Sequence, residues 1–201
     1  MQGFFAVTLI ESDKMKRRHW RARLLLRGAG VALSVFVTSA ADAAHVPIVG
    51  EAAPSFLGYG LDSRKVLLET YKGKVVVISF WATWCPPCRQ EMPILENIQR
   101  AGKGAIQVVA INTETRDTFR RTAKALTSLT LQLTNDESER AFSAYGVKGL
   151  PHLVVIGRDM HIISVREGYG PDELDDVATE LNAALRAPQP EAAAPNAESK
   201  K

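Results

Sequence analysis

The sequence predicts an α/β sandwich, a central mixed β-sheet flanked by helices on both faces. KVVVISFWA (74–82) and AIQVVAIN (105–112) are apolar, β-rich runs without alternation, as expected of strands covered on both faces in a parallel sheet. Helical patterns lie between and after them. LPHLVVIGRDMHIISVREG (150–168) reads as two strands joined at Gly157-Arg158-Asp159, a hairpin that adds an antiparallel pair.

Taken in chain order, the run 74–82 is the candidate for the centre of the sheet. CRQEMPILENIQRA (88–101) follows as a helix that Pro93 is expected to kink about a turn and a half in. After the strand 105–112 come TRDTFRRTAKALTSL (115–129) and DESERAFSAYG (136–146), two further helices, the second ending at Gly146 as a helix C-terminus does. Beyond the hairpin, PDELDDVATELNAALR begins at Pro171 with Asp172 and Glu173 in its first turn and puts Leu174, Val177, Leu181 and Leu185 on one face. Strands alternating with helices, then an antiparallel pair, imply helices on both sides of one sheet.

The 201 residues, 46% hydrophobic and 23% charged, suit one globular domain with flanking segments. The domain is placed at 46–186. From Met15 the chain reads MKRRHWRAR, LLLRGAGVALSVFV and TSAADAAH: a basic region, an apolar region and a small-residue stretch of the kind signal peptidase reads. Residues 1–43 are therefore assigned as a signal peptide, cleaved after Ala43 with Ala44 as the alternative, and the true start is expected at Met15. Arg27 shortens the clean apolar run to 28–37, so an N-terminal membrane anchor is the lesser reading. No cysteine precedes Cys85, which excludes lipid attachment near the signal. The tail 187–201, rich in Pro, Ala and charge with no apolar period, is expected to be disordered.

Removing residues 1–43 takes seven of the 25 Lys/Arg and three of the 22 Asp/Glu, leaving 18 basic against 19 acidic residues. The basic balance thus belongs to the targeting segment, and nucleic-acid binding is not indicated. Arg116, Arg120, Arg121 and Lys124 read as a solvated helix face.

SFWATWCPPCRQEMP (79–93) holds the only two cysteines. Zinc requires about four ligands, and His19, His45, His152 and His161 are scattered with no second C-x-x-C. Haem attachment requires His after the second cysteine, where Arg89 stands. A structural disulfide across so short a loop contributes little chain entropy. Redox chemistry is the favoured reading; a structural disulfide and copper(I) binding by the thiol pair remain beside it. Cys85 directly follows a buried strand and Cys88 lies in the first turn of the next helix. Unpaired N–H groups and the positive end of the helix dipole stabilise a thiolate there, so Cys85 is expected to be the nucleophile and Cys88 the resolving thiol. Pro86 and Pro87 fit the first helical turn, which needs no N–H from them, and stiffen it. Trp84, beside the nucleophile, is assigned to the docking surface, and Trp81 and Phe80 to packing.

WCPPC after KVVVISFWAT, followed by RQEMP and, some sixty residues on, YGVKGLPHLVVI, resembles the thioredoxin superfamily and within it the exported TlpA/ResA/DsbE(CcmG)-like thiol reductases. The resemblance spans about residues 46–186. It implies a thioredoxin-like sandwich, a cis peptide at Leu150-Pro151, and a substrate groove lined by Trp84, Pro86, Pro87, Leu150 and Pro151. Ser79 stands where ordinary thioredoxins carry a buried aspartate, and serine accepts no proton at neutral pH. Glu91, three residues after Cys88 in Cys88-Arg89-Gln90-Glu91-Met92-Pro93, is the candidate proton acceptor on the same helical face; the alternative is a solvated helix glutamate. His152 follows the proline where relatives often have a small hydroxyl residue, and it could tune Cys85 or face solvent.

The expected function is an exported, periplasmic thiol:disulfide oxidoreductase acting as a reductant, with no cofactor beyond the Cys85–Cys88 couple and no metal. Its implied partners are a membrane thiol donor of DsbD/CcdA type and substrate proteins with cysteine pairs, either apocytochrome c or copper-site proteins. A copper(I) metallochaperone and a disulfide-donating oxidase are the rival readings.

Overall fold

The computed structural model describes residues 46–168 and 171–187, with the side chains of 171–175 excepted. The expectations for the signal segment, its alternative as an anchor, and most of the tail lie outside the described residues. Among the described residues no helix is long and apolar enough to cross a membrane.

Among the described residues seven strands form one mixed sheet: β1 (Phe56–Tyr59), β2 (Lys65–Leu67), β3 (Val75–Trp81), β4 (Ile106–Asn112), β5 (Gln132–Asn135), β6 (His152–Ile156) and β7 (Ile162–Glu167). Four α-helices among the described residues accompany them: α1 (Pro86–Ala101), α2 (Arg116–Ala125), α3 (Arg140–Ala144) and α4 (Pro171–Arg186). The strand order is β2-β1-β5-β4-β3-β6-β7. β3 pairs parallel with β4, and β4 with β5. β6 runs antiparallel to β3 and to β7. The run 74–82 thus lies inside the sheet, and all seven residues of β3 are buried.

Alternation along the strands sorts the core into two layers. Val75, Val77 and Trp81 of β3, with Val108 and Ala110 of β4 and Leu153 and Val155 of β6, pack under Met92 and Leu95 of α1, Phe119 of α2, and Val177 and Leu181 of α4. Val76, Ile78 and Phe80, with Val109, Ile111, Val154 and Ile156, face the other way, toward Ala141 of α3, Tyr145, and Leu68 and Tyr71 of a short 3-10 turn. Helices therefore cover both faces, as expected.

Five elements depart from the sequence reading. The sequence does not mark β1, β2 or β5: β1 and β2 are only four and three residues long, FLGY and KVL, and β5 reads QLTN, whose Thr134 hydroxyl donates to the Leu57 carbonyl at 2.6 Å. The helix expected over 136–146 is only α3. Asp136 turns back on it, accepting from the Arg140 and Phe142 N–H groups at 3.0 and 2.9 Å, and Glu139 at its start is left-handed with φ 54°. Gly146 does follow with φ 67°, where a Cβ would strike Val46. The helix expected over 115–129 stops at Ala125, since the chain must turn there to deliver β5. Glu96 of α1 holds that turn by accepting from the Thr130 N–H and hydroxyl at 2.7 and 2.9 Å.

Candidate active site

The site forms where β3 ends and α1 begins. A turn closed by the Cys85 N–H donating to the Ala82 carbonyl at 3.2 Å carries the chain from the sheet into the helix. Cys85 is the residue capping α1: its backbone is extended (φ −93°, ψ 101°), and its sulfur accepts from the Cys88 N–H at 3.2 Å. Pro86 and Pro87 occupy the first two helical positions, where no N–H is required. Cys85 and Cys88 are joined in a disulfide, and both are buried. The cap geometry places Cys85 Sγ at a donor end of the helix, the environment that favours a thiolate when the disulfide opens.

Beneath the helix, Glu91 is only 3% exposed, so the solvated alternative does not hold. Its Oε2 accepts from the Ser79 hydroxyl at 3.1 Å. Ser79, the departure from the thioredoxin pattern, therefore contacts the one carboxylate that α1 turns inward one helical turn after Cys88. Trp84 projects from the turn at 69% exposure, while Trp81 and Phe80 are buried. Leu150-Pro151 is a cis peptide, with Leu150 half-buried and Pro151 buried; Pro86 is exposed and Pro87 half-buried.

His152 does not face solvent. It is 1% exposed, sits on the sheet face opposite the dithiol, and meets the Phe80 ring edge-on at 5.9 Å. Neither ring nitrogen has a hydrogen-bond partner. Burial pushes its pKa down, opposed by the Glu167 carboxylate 3.9 Å from Nδ1. Among the described residues no group of three or more His, Cys, Asp and Glu side chains is gathered as a metal site.

A polar network behind the turn was not singled out from the sequence. Glu114 accepts from the Thr83 N–H at 2.6 Å, the Thr83 hydroxyl at 2.7 Å and the Asn112 side-chain amide at 3.1 Å. Burial alone would raise the Glu114 pKa, but these hydrogen bonds outweigh it and hold the carboxyl below its usual range. The available signal was position: Asn112 and Asn135 are the last residues of parallel strands, the end at which open α/β sheets place their sites.

Fold and turn together define a thioredoxin-like protein with a cysteine pair at the start of a helix. The family model for AhpC/TSA proteins matches residues 49–165, and the chain belongs to the AhpC/TSA family. It is 28% identical over 141 residues to the thiol-disulfide oxidoreductase ResA of Bacillus thuringiensis, covering 70% of this chain and 81% of the relative. ResA of Geobacillus thermodenitrificans is 31% identical over 122 residues, 60% of this chain and 70% of that one. Among solved structures, a thiol:disulfide interchange protein of the thioredoxin family from Chlorobium tepidum superposes with a TM-score of 0.57 at 28% identity, covering 67% of this chain and 95% of that one. The activity is that of a thiol-disulfide oxidoreductase, whose substrates are proteins bearing cysteines.

Proposed function

We propose that the protein is an exported, periplasmic reductant of protein disulfides, working through Cys85 and Cys88. In the reduced protein the Cys85 thiolate attacks one sulfur of a substrate disulfide. A mixed disulfide forms, and the other substrate sulfur leaves as a thiolate that takes up a proton. Cys88, deprotonated with Glu91 as acceptor, then attacks Cys85 Sγ and releases the second substrate sulfur, which is protonated in turn. Two electrons and two protons have passed to the substrate, and the Cys85–Cys88 disulfide remains. The exposed Trp84, with Pro86, Pro87, Leu150 and Pro151, forms the surface against which the substrate segment lies.

The buried Glu91 carries the direction of the reaction. A strongly oxidising dithiol owes its potential to a stabilised reduced form. A buried carboxylate one helical turn from Cys88 acts the opposite way, because it disfavours a second negative charge on that sulfur. The couple is therefore read as a reductant, re-reduced by a membrane thiol carrier of DsbD/CcdA type, since an oxidising compartment supplies no electrons of its own. The proposed substrates are cysteine pairs awaiting a cofactor: apocytochrome c C-x-x-C-H segments or copper-site thiols.

Equilibrating residues 44–201 with a series of thiol buffers tests this. A potential near or below about −230 mV is expected, the range of thioredoxin and the glutaredoxins. A value near about −120 mV identifies a disulfide donor and reverses the proposed direction.

A further inference from the structure

The turn that presents Trp84 is held from outside its own segment. Ala82 and Cys85, on either side of it, are 0% and 3% exposed, yet Trp84 between them is 69% exposed. Its direction therefore depends on how Thr83 is fixed. Thr83 gives its N–H and its hydroxyl to the two oxygens of one carboxylate, Glu114 Oε2 at 2.6 Å and Oε1 at 2.7 Å. Such a two-point bond to an ionised group fixes orientation as well as distance.

Glu114 is itself immobilised. Its Oε2 also accepts from Asn112 Nδ2 at 3.1 Å, and its N–H donates to Asn112 Oδ1 at 3.0 Å. Asn135 Nδ2 donates to the Glu114 and Asn112 carbonyls at 2.8 and 3.2 Å. Asn112 and Asn135 are buried at the ends of β4 and β5, so the clamp is anchored in the sheet. One backbone bond, from the Thr113 N–H to the Trp81 carbonyl at 3.2 Å, ties the same two segments just before it. Glu114 is not occupied with starting α2: Thr115 does that, its hydroxyl accepting from the Thr118 N–H.

From this arrangement we infer that Glu114 is a positioning residue for substrate recognition. Through Thr83 it fixes the direction of Trp84, and so sets how well a disulfide-bearing polypeptide docks, while touching neither sulfur. Small disulfides that need no docking surface depend on it far less. The inference rests on the docking role proposed for Trp84.

The test compares two probes, insulin with dithiothreitol as terminal reductant, and dithiobis(nitrobenzoate) reacting with the reduced protein. Glu114→Ala is expected to raise KM for insulin by about tenfold, with kcat within about twofold and the small-disulfide rate within about threefold, the pattern of lost binding rather than lost chemistry. Glu114→Gln restores KM, because its amide oxygen accepts the Thr83 N–H and its NH2 group donates to the Thr83 hydroxyl. An equal loss on both probes, or no loss on either, overturns the inference. Should Glu114→Ala not fold, Thr83→Val decides: removing one of the two bonds raises the insulin KM by about threefold if the inference holds, and an unchanged KM sinks it. Trp84→Ala separates docking by Trp84 from its positioning by Glu114. If it leaves the insulin KM unchanged, docking by Trp84 is wrong and the inference falls with it. If it raises KM while Glu114→Ala does not, the inference alone fails.

Discussion

The Ser79 hydroxyl donates to the Glu91 carboxylate at 3.1 Å in the interface between β3 and α1. Both side chains are buried, at 0% and 3% exposure, beneath the turn that carries the cysteines. Replacing Glu91 with Gln keeps an acceptor for Ser79 and removes the charge together with the proton acceptor for Cys88. Without the carboxylate, the Cys88 thiolate is less disfavoured, so the pH profile of disulfide reduction is expected to move to lower pH by about one unit, and the couple to become less reducing. An identical pH profile in wild type and variant returns Glu91 to a purely structural role. Ser79→Ala leaves the buried carboxylate short of a donor and is expected to cost about 1–3 kcal/mol in urea unfolding.

The two cysteines are distinguishable by mutation. Cys85→Ser removes the attacking sulfur and is expected to abolish turnover. Cys88→Ser leaves the attacking sulfur in place but removes the thiol that releases the mixed disulfide. It is therefore expected to accumulate covalent adducts with substrate proteins, visible as reductant-sensitive bands on gels of cell extracts. Mass spectrometry of those bands separates apocytochrome c from copper-site proteins. Adducts on Cys85→Ser and none on Cys88→Ser would exchange the two roles.

The site was legible in the sequence because its signals are local. A buried apolar run, a C-P-P-C turn and a helical pattern compress the strand, cap and first turn into fifteen residues, and α1 begins at Pro86 as that order requires. What escaped depends on partners distant in the chain. β1 contains Gly58 at φ 93°, where a Cβ would come within 2.8 Å of the Asn135 carbonyl oxygen; the need for glycine is visible only once β5 lies beside it. The polar side chains of β5 are satisfied by Leu57 and by residues at the end of β4, so no apolar run marked that strand. The orientation of His152 likewise follows from its register opposite Phe80, which no single segment encodes.

Asp136 shows how a polar residue can look like the start of a helix and instead form a hinge into one. Its two oxygens accept from the Arg140 and Phe142 N–H groups, satisfying donors at the start of α3 while the residue itself is fully buried. Asp136→Ala is expected to cost about 2 kcal/mol, the range for a charge-assisted cap, and to lower Tm by about 4–8 °C. Asp136→Asn keeps an acceptor for one of the two N–H groups and should lose about half as much. Thermal unfolding followed by circular dichroism measures both, and an Ala variant as stable as wild type would remove Asp136 from the account of α3.

Acid is expected to lower stability in two stages, and His152 accounts for the first. An imidazole in the unfolded chain titrates near about 6.5. In the fold, burial holds His152 below that value against the opposing pull of Glu167. As the pH falls the unfolded chain takes up this proton first, so stability declines from about pH 6.5 downward until the folded-state value is passed. The carboxylates act later. Glu69 is held below its ordinary 4.5 by the Ser55 hydroxyl; burial pushes Glu96 and Glu114 upward but is outweighed by hydrogen bonds, from Arg100 and Thr130 for the first and from Thr83 and Asn112 for the second. Their stabilisation is complete above about 4.5 and disappears as the pH drops through the lowered values. Urea unfolding at about pH 7.5, 6 and 5 resolves the upper stage, and His152→Leu, which keeps an apolar side chain against Phe80, is expected to flatten it while leaving the lower stage in place. The same slope in wild type and variant would assign the upper stage to some group other than His152.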